Sequence, residues 1–249
     1  MLSSRLGKKI RKLRAWPGKL RFKLFALRHP EVASVIRRVM QHRLSYLEQG
    51  ALMDLAAPVL ENERTQVPGA LIEAGCALGG SALVIAAAKS RERPFIVYDT
   101  FEMIPPPSEN DGEDVQQRYR AITGGEAKGI RGGLYYGYET DLYEKVRASF
   151  AEAGLEAGEN HVRLVKGLFE ETMRVEEPVS LAHIDCDWYE SVLTCLARIE
   201  PRLASGGTLI LDDYYRWSGC RKAVDEYFAG KDPRRYRWIR KARLRIVKR

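Results

Sequence analysis

From Glu31 to Leu60 the apolar residues Val35, Val39, Met40, Leu44, Leu47, Leu52, Leu55, Val59 and Leu60 recur at steps of three and four. That spacing places them along one side of a 3.6-residue helix and predicts amphipathic helices that lead into a core. Val67-Pro-Gly ends the pattern, and short apolar runs then alternate with helical stretches. Ala70–Ala74 reads as a strand, followed by a Gly-rich turn, helix Ser81–Lys89 and strand Pro94–Asp99. Helix Tyr138–Ala153, closed by Gly154 and Gly158, leads to strand His161–Val165. Strand Val179–Asp185, helix Ser191–Leu203, the Ser205-Gly-Gly turn and strand Thr208–Leu211 follow. Strands that are apolar throughout suit a sheet covered on both sides. Their alternation with helices predicts an α/β fold built on a mostly parallel sheet. From Tyr236 to Val247 aromatic and aliphatic residues alternate with Arg, as in a strand pair with one buried and one solvated face, which makes those charges structural.

One stretch breaks the rhythm. Ile104–Gly137 begins with Pro105–Pro107, continues through a cluster of acids and ends rich in glycine. It predicts a structureless connection, and a connection of that length inside a compact domain is a lid candidate.

The 249 residues, 45% of them hydrophobic, suffice for one α/β domain and exclude disorder throughout. The longest apolar runs are far short of the ~20 residues a membrane-spanning helix needs. The net charge of +8 is unevenly spread. Residues 1–30 carry ten Lys/Arg and no acid, residues 231–249 carry ten Lys/Arg and one acid, and the 200 residues between them are net −11. An acidic body with two basic ends is not the basic stripe of a nucleic-acid-binding domain, and no motif of that class is present, so no nucleic-acid partner is expected. Arg and Lys interrupt the N-terminus every few residues, which argues against a secretion signal, although an acid-free basic start is also a property of organelle transit peptides. Cys76, Cys186, Cys195 and Cys220 form no C-x-x-C pair and read as free thiols in a reducing compartment, so a cytoplasmic location is expected. The organisation expected is a basic arm at 1–30 and a single domain at 31–249, with a helical lead-in at 31–66 and a lid-like insertion at 104–137.

Candidate chemistry gathers at strand ends. Leu71-Ile-Glu-Ala-Gly runs through Cys76-Ala-Leu-Gly-Gly-Ser81 into a helix, a turn that can bring backbone N–H groups to a ligand or simply be a tight turn. It lacks the dinucleotide fingerprint spacing and the P-loop lysine. Asp99 ends the second strand, where an acid either accepts both ribose hydroxyls of a nucleoside or is solvated. Asp185 and Asp187 end one later strand, and Asp212 and Asp213 end the next. Carboxylates brought together there repel unless a cation neutralises them, and oxygen ligands suit Mg²⁺, with Mn²⁺ or Ca²⁺ as alternatives. Capping and loop acids are the other reading. Cys186 has no basic partner and reads as a core thiol, and His183 as a core histidine. No G-x-S-x-G elbow or other triad signature is present.

Taken in order, Pro68-Gly69, Glu73-Ala-Gly-Cys-Ala-Leu-Gly-Gly-Ser81, Tyr98-Asp99-Thr100-Phe101-Glu102, Lys166-Gly167-Leu168-Phe169-Glu170-Glu171-Thr172, Ile184-Asp185-Cys186-Asp187-Trp188-Tyr189-Glu190-Ser191, Asp212-Asp213-Tyr214 and Gly219-Cys220-Arg221-Lys222 carry a resemblance. From about Leu44 to Ala229 the chain resembles the macrocin O-methyltransferase family, S-adenosylmethionine- and metal-dependent enzymes that methylate sugar hydroxyls. The resemblance implies a class I methyltransferase, Rossmann-like α/β fold: a mostly parallel seven-stranded sheet with helices on both faces and an antiparallel C-terminal strand pair. It implies that Glu73, Gly75, Gly79, Gly80 and Ser81 form the cofactor turn, that Asp99 holds the ribose and that Gly167, Leu168 and Phe169 lie near the adenine. Asp185 would touch both S-adenosyl-L-methionine and Mg²⁺, with Asp212 and Asp213 as the other metal ligands. Related catechol methyltransferases place a lysine where Trp188 stands, which leaves Asp187 as the nearest base beside the catalytic Asp185. The family more often has aromatic or basic residues at Ala77-Leu78 and Gly at Cys186. The implied acceptor is a hydroxyl of a sugar, a glycosylated natural product or a glycan. A catechol-type acceptor and a binding module without catalysis are the alternatives. Peripheral membrane contact through residues 1–30 and a homo-oligomer are further expectations.

Overall fold

The computed structural model describes residues 18–156, 158 and 160–249. The first seventeen residues of the basic arm lie outside them. The arm's described part is helical over residues 18–28 (α1) and runs into α2 (Pro30–His42) and α3 (Gln49–Arg64). These are the amphipathic lead-in helices, with Ile36, Val39, Leu52, Leu55 and Val59 buried.

Strands β1 (Ala70–Ala74), β2 (Phe95–Asp99), β3 (Val162–Lys166), β4 (Val179–Ile184), β5 (Leu203–Leu211), β6 (Tyr236–Arg240) and β7 (Leu244–Lys248) form one sheet in the order β3-β2-β1-β4-β5-β7-β6. β1 to β5 are mutually parallel, and β7 runs antiparallel to both of its neighbours. Two cores sandwich the sheet. On one face Leu71 and Phe95 meet α2, α3, α4 (Gly80–Ala88) and α6 (Leu142–Glu152). On the other, Ile72 and Leu209 meet α7 (Phe169–Thr172), α8 (Tyr189–Ile199) and α9 (Ser218–Ala229). The chain moves outward from β1 to β3 and then returns to β4 on the other side of β1. The crevice between the carboxyl ends of β1 and β4 is therefore the topological switch point, where doubly wound sheets bind ligands. Register aligns Ala74 with Ile184 and Tyr98, and Ile184 with Leu211. The next residues, Gly75, Asp185, Asp99 and Asp212, consequently leave the sheet at one level.

Four features differ from the sequence reading. Helix α6 begins at Leu142 rather than Tyr138, which instead closes a 3₁₀ turn over Tyr136–Tyr138. The Ser205-Gly-Gly turn lies inside β5 as an irregularity, because the pairing shifts between Val179/Leu203 and Leu181/Thr208. Helix α8 stops at Ile199, two residues before Pro201, and a 3₁₀ turn at Glu200–Arg202 joins it to β5. The insertion is not structureless. It contains α5 (Glu113–Thr123) and two 3₁₀ turns, with Ile122, Ala127 and Tyr135 in a small core of their own. Its acids fasten it to the domain: the Tyr189 amide at the start of α8 donates to Asp111 Oδ1 (2.8 Å), and the Ser218 amide at the start of α9 donates to Asp114 Oδ2 (2.9 Å). Carboxylates in those places satisfy helix N–H groups that have no partner within the helix. Trp188 Nε1 adds a hydrogen bond to the Pro105 carbonyl (2.9 Å).

Candidate active site

Gly75 is what lets the ends of β1 and β4 close together. A Cβ there would sit 2.0 Å from the Asp185 carbonyl oxygen, and its φ of +87° is one that side chains rarely adopt. The following turn wraps round Asp99. Its Oδ2 accepts from the Cys76 and Ala77 amides (2.6 and 3.0 Å) and its Oδ1 from the Phe101 amide (2.7 Å), so the carboxylate is fixed before any ligand arrives. The lead-in crosses the start of α4 closely enough for the Gly80 amide to donate to the Leu44 carbonyl (2.9 Å), where a Cβ on Gly80 would meet that oxygen at 2.3 Å.

Two adjoining cavities open at the switch point and share Gly75, Asp99, Tyr136, Asp185 and Asp187 as walls. The smaller is completed by Thr100, Ile104, Pro105, Leu168 and Phe169. The larger, about 300 Å³, is lined by Ser81, Asp212, Asp213, the Leu44–Leu47 segment, Arg118, Tyr135, Arg216, Trp217 and Arg243. Of the residues singled out in the sequence, Gly75, Ser81, Asp99, Leu168, Phe169, Asp185, Asp187, Asp212 and Asp213 come together on these walls. Glu73, Gly79, Gly80 and Gly167 stand behind them: Gly79 precedes α4, and the Gly167 amide donates to the Asp99 carbonyl (3.0 Å).

Glu73 and His183, both fully buried, form part of a charge chain. His183 Nδ1 lies 2.8 Å from Glu73 Oε1, and Nε2 lies 3.3 Å from Asp212 Oδ1. Burial opposes the imidazolium, but hydrogen bonds to Asp212 and Glu73 outweigh it and push the His183 pKa up to about 10. Arg243 Nε also donates to Asp212 Oδ1. Burial works against charge on Asp212, yet His183 and Arg243 hold its carboxyl below the usual range.

The other three acids have no such support. Asp185, Asp187 and Asp213 each place a carboxylate oxygen within 4.8 Å of the others. Burial and then the charge of Asp212 push Asp185 up to about 8. Burial raises Asp187, against a hydrogen bond with Asp213 and the charges of Arg216 and Arg118, and burial and then the other carboxylates raise Asp213 strongly. Asp213 Oδ2 is buried without a hydrogen-bond partner. Asp187 also has φ +60°, in a tight turn where the Trp188 amide donates to the Cys186 carbonyl (2.6 Å). An acid tolerates that conformation better than most residues, and here it turns the carboxylate to the cavity.

Sequence reasoning missed the cationic and aromatic wall. Arg118 comes from α5 and lies over the Tyr135 ring (5.3 Å), and Arg216 lies over Trp217 (5.2 Å). Arg243 belongs to the basic C-terminal run that reads as structural, yet the turn before β7 brings it to the cavity wall. Its position just ahead of an alternating strand was the available signal. All four cysteines are free and buried, Cys186 among them.

Over residues 41–234 the sequence matches the family described as Macrocin-O-methyltransferase (TylF). It is 34% identical over 167 residues to the 8-demethyl-8-(2,3-dimethoxy-alpha-L-rhamnosyl)-tetracenomycin-C 4'-O-methyltransferase of Streptomyces olivaceus, covering 65% of this chain and 58% of that protein. It is 31% identical over 172 residues to the demethyldecarbamoylnovobiocin O-methyltransferase of Streptomyces niveus, covering 67% and 60%. The matched region thus spans about three fifths of these relatives. Among solved structures, the O-methyltransferase NovP superposes with a TM-score of 0.64 at 25% identity, over 79% of this chain and 78% of that one. The calicheamicin methyltransferase CalS11 superposes at 0.56 and 19% identity, over 81% and 80%, a likeness of fold alone. The sheet order, the antiparallel β7 and the matched residues agree: the fold is that of class I methyltransferases, and the chain belongs to the macrocin O-methyltransferase family.

Proposed function

We propose that the protein is an S-adenosyl-L-methionine- and Mg²⁺-dependent O-methyltransferase acting on a hydroxyl of a sugar or glycosylated small molecule. The observation that carries the proposal is the pair of cavities, one walled by apolar groups beside Asp99 and the other by carboxylates, meeting over Gly75 and Asp185. Asp99 would hold the ribose, and Leu168 and Phe169 the adenine, with Ile104 and Pro105 of the insertion opposite. The relatives' names, an O-methyltransferase of demethyldecarbamoylnovobiocin and a 4'-O-methyltransferase of a rhamnosyl-tetracenomycin, support the acceptor class.

The donor set fits a divalent cation. Three crowded carboxylates, half-buried at Asp185 and Asp187 and buried at Asp213, where one oxygen lacks any partner, offer hard oxygen ligands and a repulsion for a cation to relieve. Asp185 and Asp213, two of the three ligands that the resemblance implies, would hold it, while Asp212, the third, is occupied by His183 and Arg243 and fixes the wall behind them. A divalent cation in this position lowers the pKa of a bound hydroxyl, and S-adenosylmethionine supplies an electrophilic methyl group. The protein's own share is orientation and proton transfer. The Asp187 carboxylate, fixed by its turn, accepts the hydroxyl proton. Tyr136 and the insertion keep water from the junction of the two cavities.

Calorimetric titration with S-adenosylmethionine, with and without Mg²⁺, tests the reading, and no binding in either condition overturns it. Transfer of labelled methyl to matched sugar and catechol acceptors then separates the acceptor classes. Preference for a catechol removes the sugar assignment, and cofactor binding without transfer to any acceptor indicates a binding module.

A further inference from the structure

Helix α1 has two unlike faces. Phe22, Phe25 and Ala26 turn toward the core: Phe22 is buried, its ring stacks with Phe25, and the Arg37 guanidinium of α2 lies 5.3 Å from it. The opposite face carries Leu20, Leu24 and Leu27, which are 57%, 50% and 80% exposed. Their spacing makes one continuous stripe along the helix. The other large exposed hydrophobic side chains among the described residues, Tyr46, Met103, Leu134, Leu168 and Tyr215, are scattered over five separate segments.

At 100° per residue, Lys19 and Lys23 border the leucine stripe on one side and Arg21 and Arg28 on the other. No acid occurs anywhere in residues 1–30. The second basic end converges on the same region. Asp54 of α3 pairs with Arg21 and also acts on Arg245 of β7, whose pKa is pulled down first by burial and then by Arg237 against the opposing pull of Asp54.

We propose that α1 docks the protein on an anionic lipid bilayer. Leu20, Leu24 and Leu27 enter the interface between headgroups and acyl chains, while Lys19, Lys23 and Arg28 extend their aliphatic stems along it and place their charges among lipid phosphates. The charge pattern selects this occupant. Pairing the stripe with that of a second copy would set its basic borders against equally basic ones, whereas an anionic surface complements both borders together. The opposite aromatic face keeps α1 attached to the domain, so the helix lies flat. Among the described residues no helix is long and apolar enough to cross a membrane. This inference is independent of the reaction proposed above.

Co-sedimentation of the full chain with vesicles tests it. The protein is expected to bind vesicles containing phosphatidylglycerol, to ignore vesicles of phosphatidylcholine alone, and to be released by high salt. Leu24→Gln with Leu27→Gln lowers the partition coefficient by about tenfold or more, since two leucines leave the interface. Lys19→Gln and Lys23→Gln each lower it about fivefold, the equivalent of the ~1 kcal/mol that a basic side chain gains near an anionic surface. These side chains are exposed, so an unchanged unfolding midpoint verifies that the variants are folded. Equal binding to phosphatidylcholine overturns the proposal. So does full binding by the leucine variant, which would assign the contact to residues 1–17 or the C-terminal arginines. A dimer that the leucine variant converts to monomer overturns it as well, because a second copy would then cover the stripe.

Discussion

Two groups of acids drawn away from water stand on opposite sides of one question. Glu200, in the turn between α8 and β5, is almost wholly buried, and both of its oxygens have partners. Lys231 Nζ and the Tyr227 hydroxyl donate to Oε2 at 2.8 and 3.0 Å, and the Tyr236 hydroxyl donates to Oε1. Burial alone would raise its pKa, but Lys231, Tyr236 and Tyr227 together bring it down to about 2. Asp213 is buried and Asp185 and Asp187 half-buried, with mainly one another for company, and their carboxyl pKa values rise. Loss of hydration is common to both groups. What separates them is whether the chain itself supplies the compensating charge. Glu200 ties α8 to α9 and β6, whereas the aspartates leave a deficit that an arriving cation can fill.

The largest effect is expected where that deficit is reduced. Asp213→Asn keeps the shape and removes one charge, so turnover should fall by about 10²- to 10³-fold while the Kd for S-adenosylmethionine changes little. In the presence of EDTA the variant should unfold at a higher temperature than the wild type, because a like charge has left a crowded site. Single-turnover transfer, calorimetry and a thermal melt read these three quantities. A lower midpoint with equal loss of binding and turnover would give Asp213 the structural role that the comparison assigns to Glu200.

Glu200→Gln reverses the pattern. It removes the charge that satisfies Lys231 and should cost about 2–3 kcal/mol of stability in urea unfolding, with turnover per folded molecule unchanged. The pH dependence follows the same division. A carboxyl whose folded pKa is depressed contributes stability that is complete above the unfolded value near 4.5 and is lost as pH falls toward about 2. Wild type should lose this contribution between those limits, and Glu200→Gln should lack that part of the acid slope. An identical slope in both proteins would show that Glu200 is not the group that senses acid.

The two groups were also unequally legible in the sequence. Asp99, Asp185 and Asp212 each directly follow an apolar run, with Asp213 next to Asp212, and parallel register carries strand ends to a common level, so local pattern is sufficient to bring them together. Glu200 follows a helical pattern and depends on Lys231, Tyr227 and Tyr236, whose approach only the tertiary fold decides. The order within the insertion is illegible in the sequence for a related reason. Its order depends on Asp111 and Asp114 capping helices about eighty and one hundred residues further along, contacts with no local signature. Arg118, Tyr135 and Tyr136 reach the cavity through it and were invisible with it. The left-handed turn at Asp187 likewise has no glycine to announce it.

Arg243 lies between the two groups and should give the smallest effect. Its Nε and the His183 ring share one oxygen of Asp212, so the paired character of Asp212 rests on two cations. Arg243→Gln leaves His183 alone to hold that carboxylate, and the pKa of Asp212 rises toward those of its neighbours. Stability should drop by about 1–2 kcal/mol, the range for one hydrogen bond between charged groups. Turnover should fall less than tenfold, because Asp185, Asp187 and Asp213 are untouched and His183 still orients the wall. Arg243→Lys should recover the stability in part, since a lysine restores the charge without the planar fork. A loss as large as that of Asp213→Asn would move Asp212 from the paired group to the unpaired one and place the boundary between structural and functional acids on the other side of it.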